Sequence, residues 1–468
     1  MRAMRSAAHP NIGVAPVLPA AASRSISRYL VPTLIALTAT AGARVHELIP
    51  LAPKTRPVLL LTYIITPFVL LGVRPSLMRE ATRTPLFRVF TLFALWAAVG
   101  VPFAVYPSAA LTNLQLFLPG FAIVLMTLLA PPVKPTIDRL QGWFAIGCVI
   151  TGGLALVLGG GSSDRVGTSG SLDANDLAAV MAMAVPLALG MATRARGIAK
   201  LAWLGAMSIL LAVYASTGSR GGTIAIVVGT VVFVLGQGGS RRLTYALLCL
   251  VAGATTWTFA PETLRTRVTS FVHGQSDYNE TDYTGRKAVW ARARGYIAER
   301  PLFGVGLNNF PFMEGETCRR LFPDQGCKWS ATHNSYLQAA SELGLPGGAL
   351  FIALLSVGFV NGYALWRPRR GKPKDPLHRP ELLGSLVGFA AAATFLSLAY
   401  FHLTFALIAL ITVARRTRAL AAAAEIPNAA LASPTPSPAP DRPAYGAPAP
   451  PARRRRGGIA TGRFGPYA

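Results

Sequence analysis

The chain has 468 residues, of which 52% are hydrophobic and only 14% are charged. A water-soluble protein of this length needs far more charge to cover its surface, so the composition excludes that class and predicts an integral membrane protein. The net charge of +26 suggests nucleic-acid binding, but Lys and Arg cluster in the short segments between apolar blocks, which is the orientation signal of membrane proteins. We therefore expect no nucleic-acid partner.

Apolar blocks long enough to cross about 30 Å of hydrocarbon recur along the chain, and such blocks form helices because their backbone must satisfy its own hydrogen bonds. We predict an all-α polytopic membrane protein with about twelve transmembrane helices. Residues 1–28 are basic and lack a cleavage site, which indicates a cytoplasmic N-terminal segment and not a signal peptide. Spans one to nine are expected within residues 29–260 and spans ten to twelve within residues 346–414. The predicted spans are 29–43, 57–73, 86–106, 111–131, 141–160, 176–193, 198–215, 221–238, 243–260, 346–366, 382–399 and 402–414.

The connecting segments indicate the orientation. With the N-terminus in the cytoplasm, the even-numbered connections carry the positive charge, as in Arg241 and Arg242 after span eight. The first connection, residues 44–56, departs from this pattern because it is also basic. The pattern predicts a multi-pass protein of the inner (cytoplasmic) membrane with both termini in the cytoplasm.

This orientation places a large loop, residues 261–345, outside the cytoplasm between spans nine and ten. It holds 9 of the 19 acidic residues and is the one segment that resembles a small soluble domain. Cys318 and Cys327 lie in it, and we expect them to form a disulfide in an oxidising compartment. Cys148 and Cys249 lie inside apolar blocks and are interpreted as buried small hydrophobes. No Cys/His spacing suggests a metal site.

The C-terminal segment, residues 415–468, is predicted to be a cytoplasmic tail. Beyond Leu420 it is rich in Ala and Pro, then basic, with almost no large apolar residues. Such a composition cannot bury a core, so we expect disorder there. Its basic residues would attract anionic lipid headgroups.

Within the large loop, the apolar periodicity after Thr284 predicts an amphipathic helix that Pro301 ends. A basic residue in its first turn, Arg286, opposes the helix dipole. It is therefore either incidental or held there to bind an anion. Next follow Gly304 and Gly306, which indicate a tight turn with a structural role.

A second short helix is predicted to begin near Asn334, because Ser335 with Gln338 resembles a capping box and Gly344 suits a helix C-terminus. His333 would lie at its N-terminus, where the dipole disfavours the imidazolium and leaves a neutral ring able to accept a proton. The alternative is a surface or capping histidine.

Arg220 lies in the connection between spans seven and eight, within the sequence Ser216–Gly222. A charge at membrane depth usually pairs with another group. Snorkelling of the side chain to the interface is the alternative.

Together these motifs resemble the O-antigen ligase family of bacterial membrane glycosyltransferases. The pattern is His333-Asn334, nine residues, Gly344, two residues, and Gly347. The Gly-Arg…Trp segment with Arg286 and Trp290, the Gly-x-Gly-x-Asn turn ending at Asn308 and the Ser-Arg-Gly element with Arg220 are also present. The resemblance covers about residues 175–365 at the level of motifs.

The resemblance implies transfer of a glycan from an undecaprenyl-diphosphate carrier to a glycan or lipid-linked acceptor, with inversion at the anomeric carbon. It implies no metal and no other cofactor. The implied catalytic residues are Arg220 and Arg286, which bind the diphosphate oxygens, and His333, which takes or orients the proton of the acceptor hydroxyl. The implied substrate-binding residues are Trp290, Asn308 and Asn334.

Four alternatives stay open. Two belong to the same superfamily, namely a polysaccharide polymerase and a protein O-oligosaccharyltransferase. A metal-dependent transferase would use Asp277, Glu280 and Asp282, although their spacing is not typical of a metal site. A transporter or flippase of lipid-linked sugars would have internal repeats and charges in the middle of its spans.

Overall fold

The computed structural model describes most of the chain between residues 62 and 431, and the residues in it form helices and no strand. The predicted all-α class is therefore confirmed for that part. Residues 1–420 form one compact unit and residues 421–468 a second. The described residues are 62–64, 66–67, 70–158, 165–167, 172–269, 283, 285–321, 323, 329–369 and 375–431.

The described helices follow one another along the chain. In chain order they are α1 (Pro75–Thr82), α2 (Pro85–Val99), α3 (Pro107–Leu129), α4 (Lys134–Leu158), α5 (Ala174–Arg194), α6 (Gly197–Thr217), α7 (Arg220–Leu235), α8 (Ser240–Thr258), α9 (Glu262–Thr269), α10 (Arg286–Glu299), α11 (Phe310–Leu321), α12 (Ser335–Trp366), α13 (Pro380–Ala393) and α14 (His402–Leu431). A single 3₁₀ turn, Val101–Phe103, follows α2.

Among the described helices, five are long and apolar enough to cross a membrane: α3, α4, α5, α6 and α12. The pair α8 and α9, bent by 110°, would raise the number to six. Three further apolar helices, α2, α7 and α13, are shorter. The structure thus supports a multi-span membrane protein, while the number twelve stays a prediction. Predicted span 29–43 and about half of 57–73 lie outside the described residues.

The observed helix ends differ from several predicted span ends. Helix α2 ends at Val99 and not at residue 106, because Pro102 follows within the 3₁₀ turn. Predicted span 382–399 ends early at Ala393, and residues 394–401 are not helical. In contrast, α12 joins the predicted loop helix to span ten, with a break at Gly344 (φ 71°, ψ 179°).

The prediction of disorder beyond Leu420 is wrong for residues 421–431, which continue α14 as far as Leu431. This stretch begins with four consecutive alanines, and Ala has the highest helix propensity of all residues. Low apolar content predicts the absence of a core, but it does not prevent an alanine-rich helix from extending. Residues 432–468 lie outside the described part of the chain.

Small residues bring α7 and α13 into close contact. A Cβ atom placed on Gly229 of α7 would lie 2.7 Å from the carbonyl oxygen of Gly384 and 3.2 Å from the Cα atom of Gly388, both in α13. Helices in lipid lack a hydrophobic driving force between them, so this close backbone approach is what holds such pairs together.

Buried and half-buried charges form a cluster at the ends of three helices, which we call the ionic cluster: Asp138, Arg194, Arg379 and Glu381. Arg379 is fully buried, and its Nη2 lies 2.6 Å from Asp138 Oδ1. Arg194 Nη1 lies 2.7 Å from Glu381 Oε1, which is also buried. Two positive charges are thus matched by two negative ones, since an unmatched buried charge would be strongly destabilising. These charges lie at helix ends. The transporter alternative would require charges in the middle of the spans.

We predict that Gly229→Ala lowers the melting temperature of the purified protein, because the added methyl group must displace the backbone of α13. Overpacking of this kind costs ~1–3 kcal/mol. Thermal unfolding followed by size-exclusion chromatography measures the change. The matched control is Gly253→Ala in α8, where a Cβ atom meets nothing within 4 Å. An equal fall in both variants would contradict close helix packing at Gly229.

Candidate functional site

One end of the helix bundle, opposite the ionic cluster, gathers the motif residues, and we call it the loop end. Arg165 links two helices there: its Nε donates to Thr217 O at the C-terminus of α6 (2.7 Å), and its Nη2 donates to Asn175 Oδ1 at the start of α5 (2.8 Å). The backbone N–H of Val166 also donates to Ser216 O (3.0 Å). These bonds hold the turn between α6 and α7, which carries Arg220. The sequence analysis missed Arg165, because its partners are distant in sequence.

The non-helical residues 394–401, which we call the unwound segment, form the centre of the loop end. Ser335 Oγ donates to Leu396 O (2.7 Å) and accepts from the N–H of Leu398 (2.9 Å). The N–H of Ala399 donates to Gln338 Oε1 (3.1 Å). Side chains from the first turn of α12 therefore satisfy backbone groups that a continuous helix would have paired itself.

These contacts show that the predicted capping box of Ser335 and Gln338 is wrong. Asn334 is the N-cap of α12, and its Oδ1 accepts from the N–H groups of Tyr336 (3.0 Å) and Leu337 (2.9 Å). Because Asn is a strong N-cap, it leaves Ser335 and Gln338 available for the unwound segment. The helix does begin where it was predicted.

His333 lies immediately before this N-cap and is half-buried. Its backbone has a left-handed conformation (φ 48°), which is uncommon for a residue other than glycine. Its N–H donates to Ser397 Oγ in the unwound segment (2.8 Å). The carbonyl of the preceding residue, Thr332, accepts from Trp290 Nε1 of α10 (3.0 Å). Both hydrogen bonds are made by the peptide group that links Thr332 to His333, and they hold the backbone of His333 in place.

Helix α10 brings two further motif residues to the same region. Arg286 is its first residue, and Trp290 lies one turn later on the same side. The predicted amphipathic helix is confirmed: its apolar face packs against Val305 and Phe310. The buried residues of α10 are Val289, Ala293 and Tyr296.

Polar contacts join α10 to α11. Arg292 Nε and Nη2 donate to the two carboxylate oxygens of Glu314 (2.6 and 3.0 Å), and Tyr296 Oη donates to Thr317 Oγ1 (2.8 Å). Burial raises the pKa of Tyr296 to about 12, so its hydroxyl stays protonated as a hydrogen-bond donor. The two helices thus form a rigid support for Arg286.

Arg220 is the first residue of α7, with Ser219 as N-cap accepting from the N–H of Gly222 (3.2 Å). The next residue, Gly221, packs on the unwound segment: a Cβ atom placed there would lie 3.4 Å from the Cβ of Phe395. The start of α7 and the backbone of His333 therefore contact the same short segment from different helices.

The paired glycines form a turn that binds backbone carbonyls next to the break in α12. Gly304 and Gly306 have positive φ (65° and 106°). The N–H groups of Val305 and Gly306 donate to the carbonyls of Ser341 (2.9 Å) and Glu342 (2.8 Å), which precede the break at Gly344. A side chain at Gly304 would strike the backbone of Glu342. The turn has the structural role predicted for it.

Asn308 lies at the end of this turn with φ 56°. Its N–H donates to Glu342 Oε2 (2.9 Å), and its Nδ2 donates to Asn113 Oδ1 of α3 (2.9 Å). The N–H of Phe310 also donates to Glu342 (3.4 Å). In this structure Asn308 joins elements of the protein, so its assignment to substrate binding stays a prediction. Glu342, buried at 1% exposure, was missed because only the fold reveals its partners.

Several predicted residues cannot be placed. The carboxylates Asp277, Glu280 and Asp282 lie outside the described residues, as does Cys327. Cys318 is disulfide-bonded, and its pairing with Cys327 stays a prediction. Cys148 and Cys249 are free thiols in apolar helices. Within the described ranges, no group of three or more His, Cys, Asp or Glu side chains could hold a metal ion.

Comparison with known proteins supports the resemblance found in the motifs. Residues 205–352 match the family described as O-antigen ligase. The match begins in α6 and ends in α12, so it contains Arg220, α10, the glycine turn and His333. No curated protein matches the chain. The match and the apolar helices together indicate a membrane enzyme of the glycosyltransferase type.

We predict that Asn334→Asp keeps the thermal stability of the protein, whereas Asn334→Ala loses about 1 kcal/mol. Aspartate supplies the same capping oxygen, and its charge is favourable at a helix N-terminus. Thermal unfolding of the purified variants in one detergent provides the comparison. If Asp destabilises as much as Ala, the capping role of Asn334 is not its main contribution.

Proposed function

Because the chain carries an O-antigen ligase domain, we propose that it transfers a glycan from an undecaprenyl-diphosphate carrier to an acceptor at the outer face of the cytoplasmic membrane. The observation that carries this proposal is the meeting of three elements at the loop end. Helix α7 with Arg220 and the residue His333 both contact the unwound segment, and α10 with Arg286 is bonded to the residue before His333.

Two arginines support binding of a diphosphate. Arg220 and Arg286 are each the first residue of a helix, where the N-terminal N–H groups and the helix dipole already favour an anion. A guanidinium donates two parallel hydrogen bonds to phosphate oxygens. As the bond from the sugar to the diphosphate breaks, negative charge develops on the leaving oxygen, and both groups would stabilise it.

His333 is the proposed proton acceptor. The acceptor hydroxyl attacks the anomeric carbon of the donor sugar while the bond from that carbon to the diphosphate oxygen breaks. The hydroxyl proton passes to the His333 ring, and undecaprenyl diphosphate leaves. A single displacement of this kind inverts the anomeric carbon. The hydrogen bonds of the peptide group before His333 would keep its backbone in place during this step.

The distribution of charge supports the proposed orientation. The end with the ionic cluster also carries the basic residues Arg367 and Arg418. The Arg418 guanidinium donates a hydrogen bond to the backbone carbonyl of Arg367. Basic residues concentrate on the cytoplasmic side of membrane proteins. The loop end would then lie at the outer face of the membrane, where donors are available once their lipid carrier has been flipped. Both termini would be cytoplasmic. Surrounding membrane lipids would hold the polyprenyl chain.

We predict that His333→Ala and Arg286→Ala each lower the rate of glycan transfer at least about 100-fold, because one removes the proton acceptor and the other a diphosphate ligand. Purified protein in lipid nanodiscs, incubated with lipid-linked donor and acceptor, provides the rate. Arg294→Ala is the control, since Arg294 lies on the same helix and is exposed. Normal transfer by the His333 or Arg286 variant, with unchanged protein abundance, would refute the assignment.

We also predict the surface glycans of a strain that lacks the gene. A ligase leaves full-length polymer on the lipid carrier, because polymerisation continues without transfer. The second candidate, a polysaccharide polymerase, leaves single repeat units on the carrier. Gel separation of the lipid-linked glycans distinguishes the two, and restoring the gene is the control. Lipid-linked glycan retained on the cytoplasmic side would instead indicate a flippase.

A further inference from the structure

Trp329 belongs to the large loop, and its side chain is exposed although it packs against its neighbours. It lies four residues before His333, and 47% of its surface is accessible. Its ring meets that of Phe312 edge to face, with 5.6 Å between centroids, and Phe312 packs on Tyr106 at 5.1 Å. A ring that is exposed and yet held by its neighbours suits recognition better than packing.

One face of the Trp329 ring lies against α11. A Cβ atom on Gly315 would come within 2.7 Å of the ring, so only glycine lets it lie this close. The guanidinium carbon of Arg319 lies 5.5 Å from the ring centroid. Gly315 and Arg319 are one helical turn apart and thus on the same side of α11.

Two charged side chains lie on α11 near Gly315. Arg319 and Glu316 are both exposed, and Glu316 accepts a hydrogen bond from the Tyr106 hydroxyl. An exposed aromatic ring in the same region as a guanidinium and a carboxylate matches a sugar ring, which has apolar C–H groups on its faces and hydroxyls around its rim. A lipid tail would match the apolar surface but not the charges.

We propose that Trp329, with Arg319 and Glu316, binds a sugar ring of the acceptor glycan. This proposal rests on the proposed function. It favours the acceptor because Trp329 shares a chain segment with His333, the group assigned to the acceptor hydroxyl, whereas Arg220 and Arg286 are assigned to the donor diphosphate. Four residues span at most ~14 Å. The subsite is therefore close enough to His333 for one short oligosaccharide to reach both.

The test measures binding of a free glycan without any transfer. The probe is the water-soluble oligosaccharide released by mild acid from the unmodified surface glycolipid of the gene-deletion strain. We expect the full-length protein in nanodiscs to bind this oligosaccharide. Trp329→Ala raises the Kd at least about tenfold. Trp329→Phe retains an aromatic ring, so its Kd stays within about threefold of the wild-type value. Arg319→Ala also weakens binding. Arg320→Ala, which removes the same charge from the next exposed position, leaves it unchanged.

Three results would overturn the proposal: no binding by the wild-type protein, equal binding by Trp329→Ala, or quenching of Trp329 fluorescence by brominated lipids, which would place the ring in the membrane. A second arm uses the oligosaccharide released from the lipid-linked donor. If Trp329→Ala weakens binding of the donor oligosaccharide alone, the assignment to the acceptor is wrong. Failure of the proposed function is a separate outcome, since it would show as normal transfer by His333→Ala whatever the binding results.

Discussion

The break in α12 at Gly344 is the constraint on which the loop end depends. A broken helix leaves carbonyl groups without their helical donors, and inside a membrane protein each must find another. The carbonyls of Ser341 and Glu342 are bound by the glycine turn, and that of Leu343 accepts from Trp96 Nε1 of α2 (2.8 Å). Since the same turn leads from α10, satisfying the break also fixes α10 against the bundle.

A second irregular stretch, the unwound segment, meets the first turn of α12 from the other side. Irregular backbone at this depth is tolerated where protein groups or a polar cavity satisfy it. Here Ser335 and Gln338 supply those groups, and Ser397 in return binds the N–H of His333. The two irregular stretches thus support each other, and the strained conformation of His333 lies between them.

The sequence predicted those features that depend on local pattern. Apolar length located most helices, and periodicity located α10 with its apolar face. The capping box was wrong because Ser335 and Gln338 bind residues 61 positions away, which no local pattern reveals. For the same reason, local pattern did not predict the contacts of Arg165 and Glu342 or the exposure of Trp329. The helix beyond Leu420 was missed for another reason, because propensity and core formation are separate properties.

The described carboxylates also restrict the chemistry of the loop end. Glu314 is held by Nε and Nη2 of the Arg292 guanidinium, and Glu342 by two backbone N–H groups. If Glu314 took the acceptor proton, it would have to weaken its bonds with Arg292, which costs about 1–3 kcal/mol for each donor left unpaired. The role proposed for His333 makes no demand on these two carboxylates, and the hydrogen bonds that fix its backbone come from Ser397 and Trp290. His333 is therefore the base that we propose, in a reaction in which Arg220 and Arg286 are proposed to stabilise the leaving diphosphate.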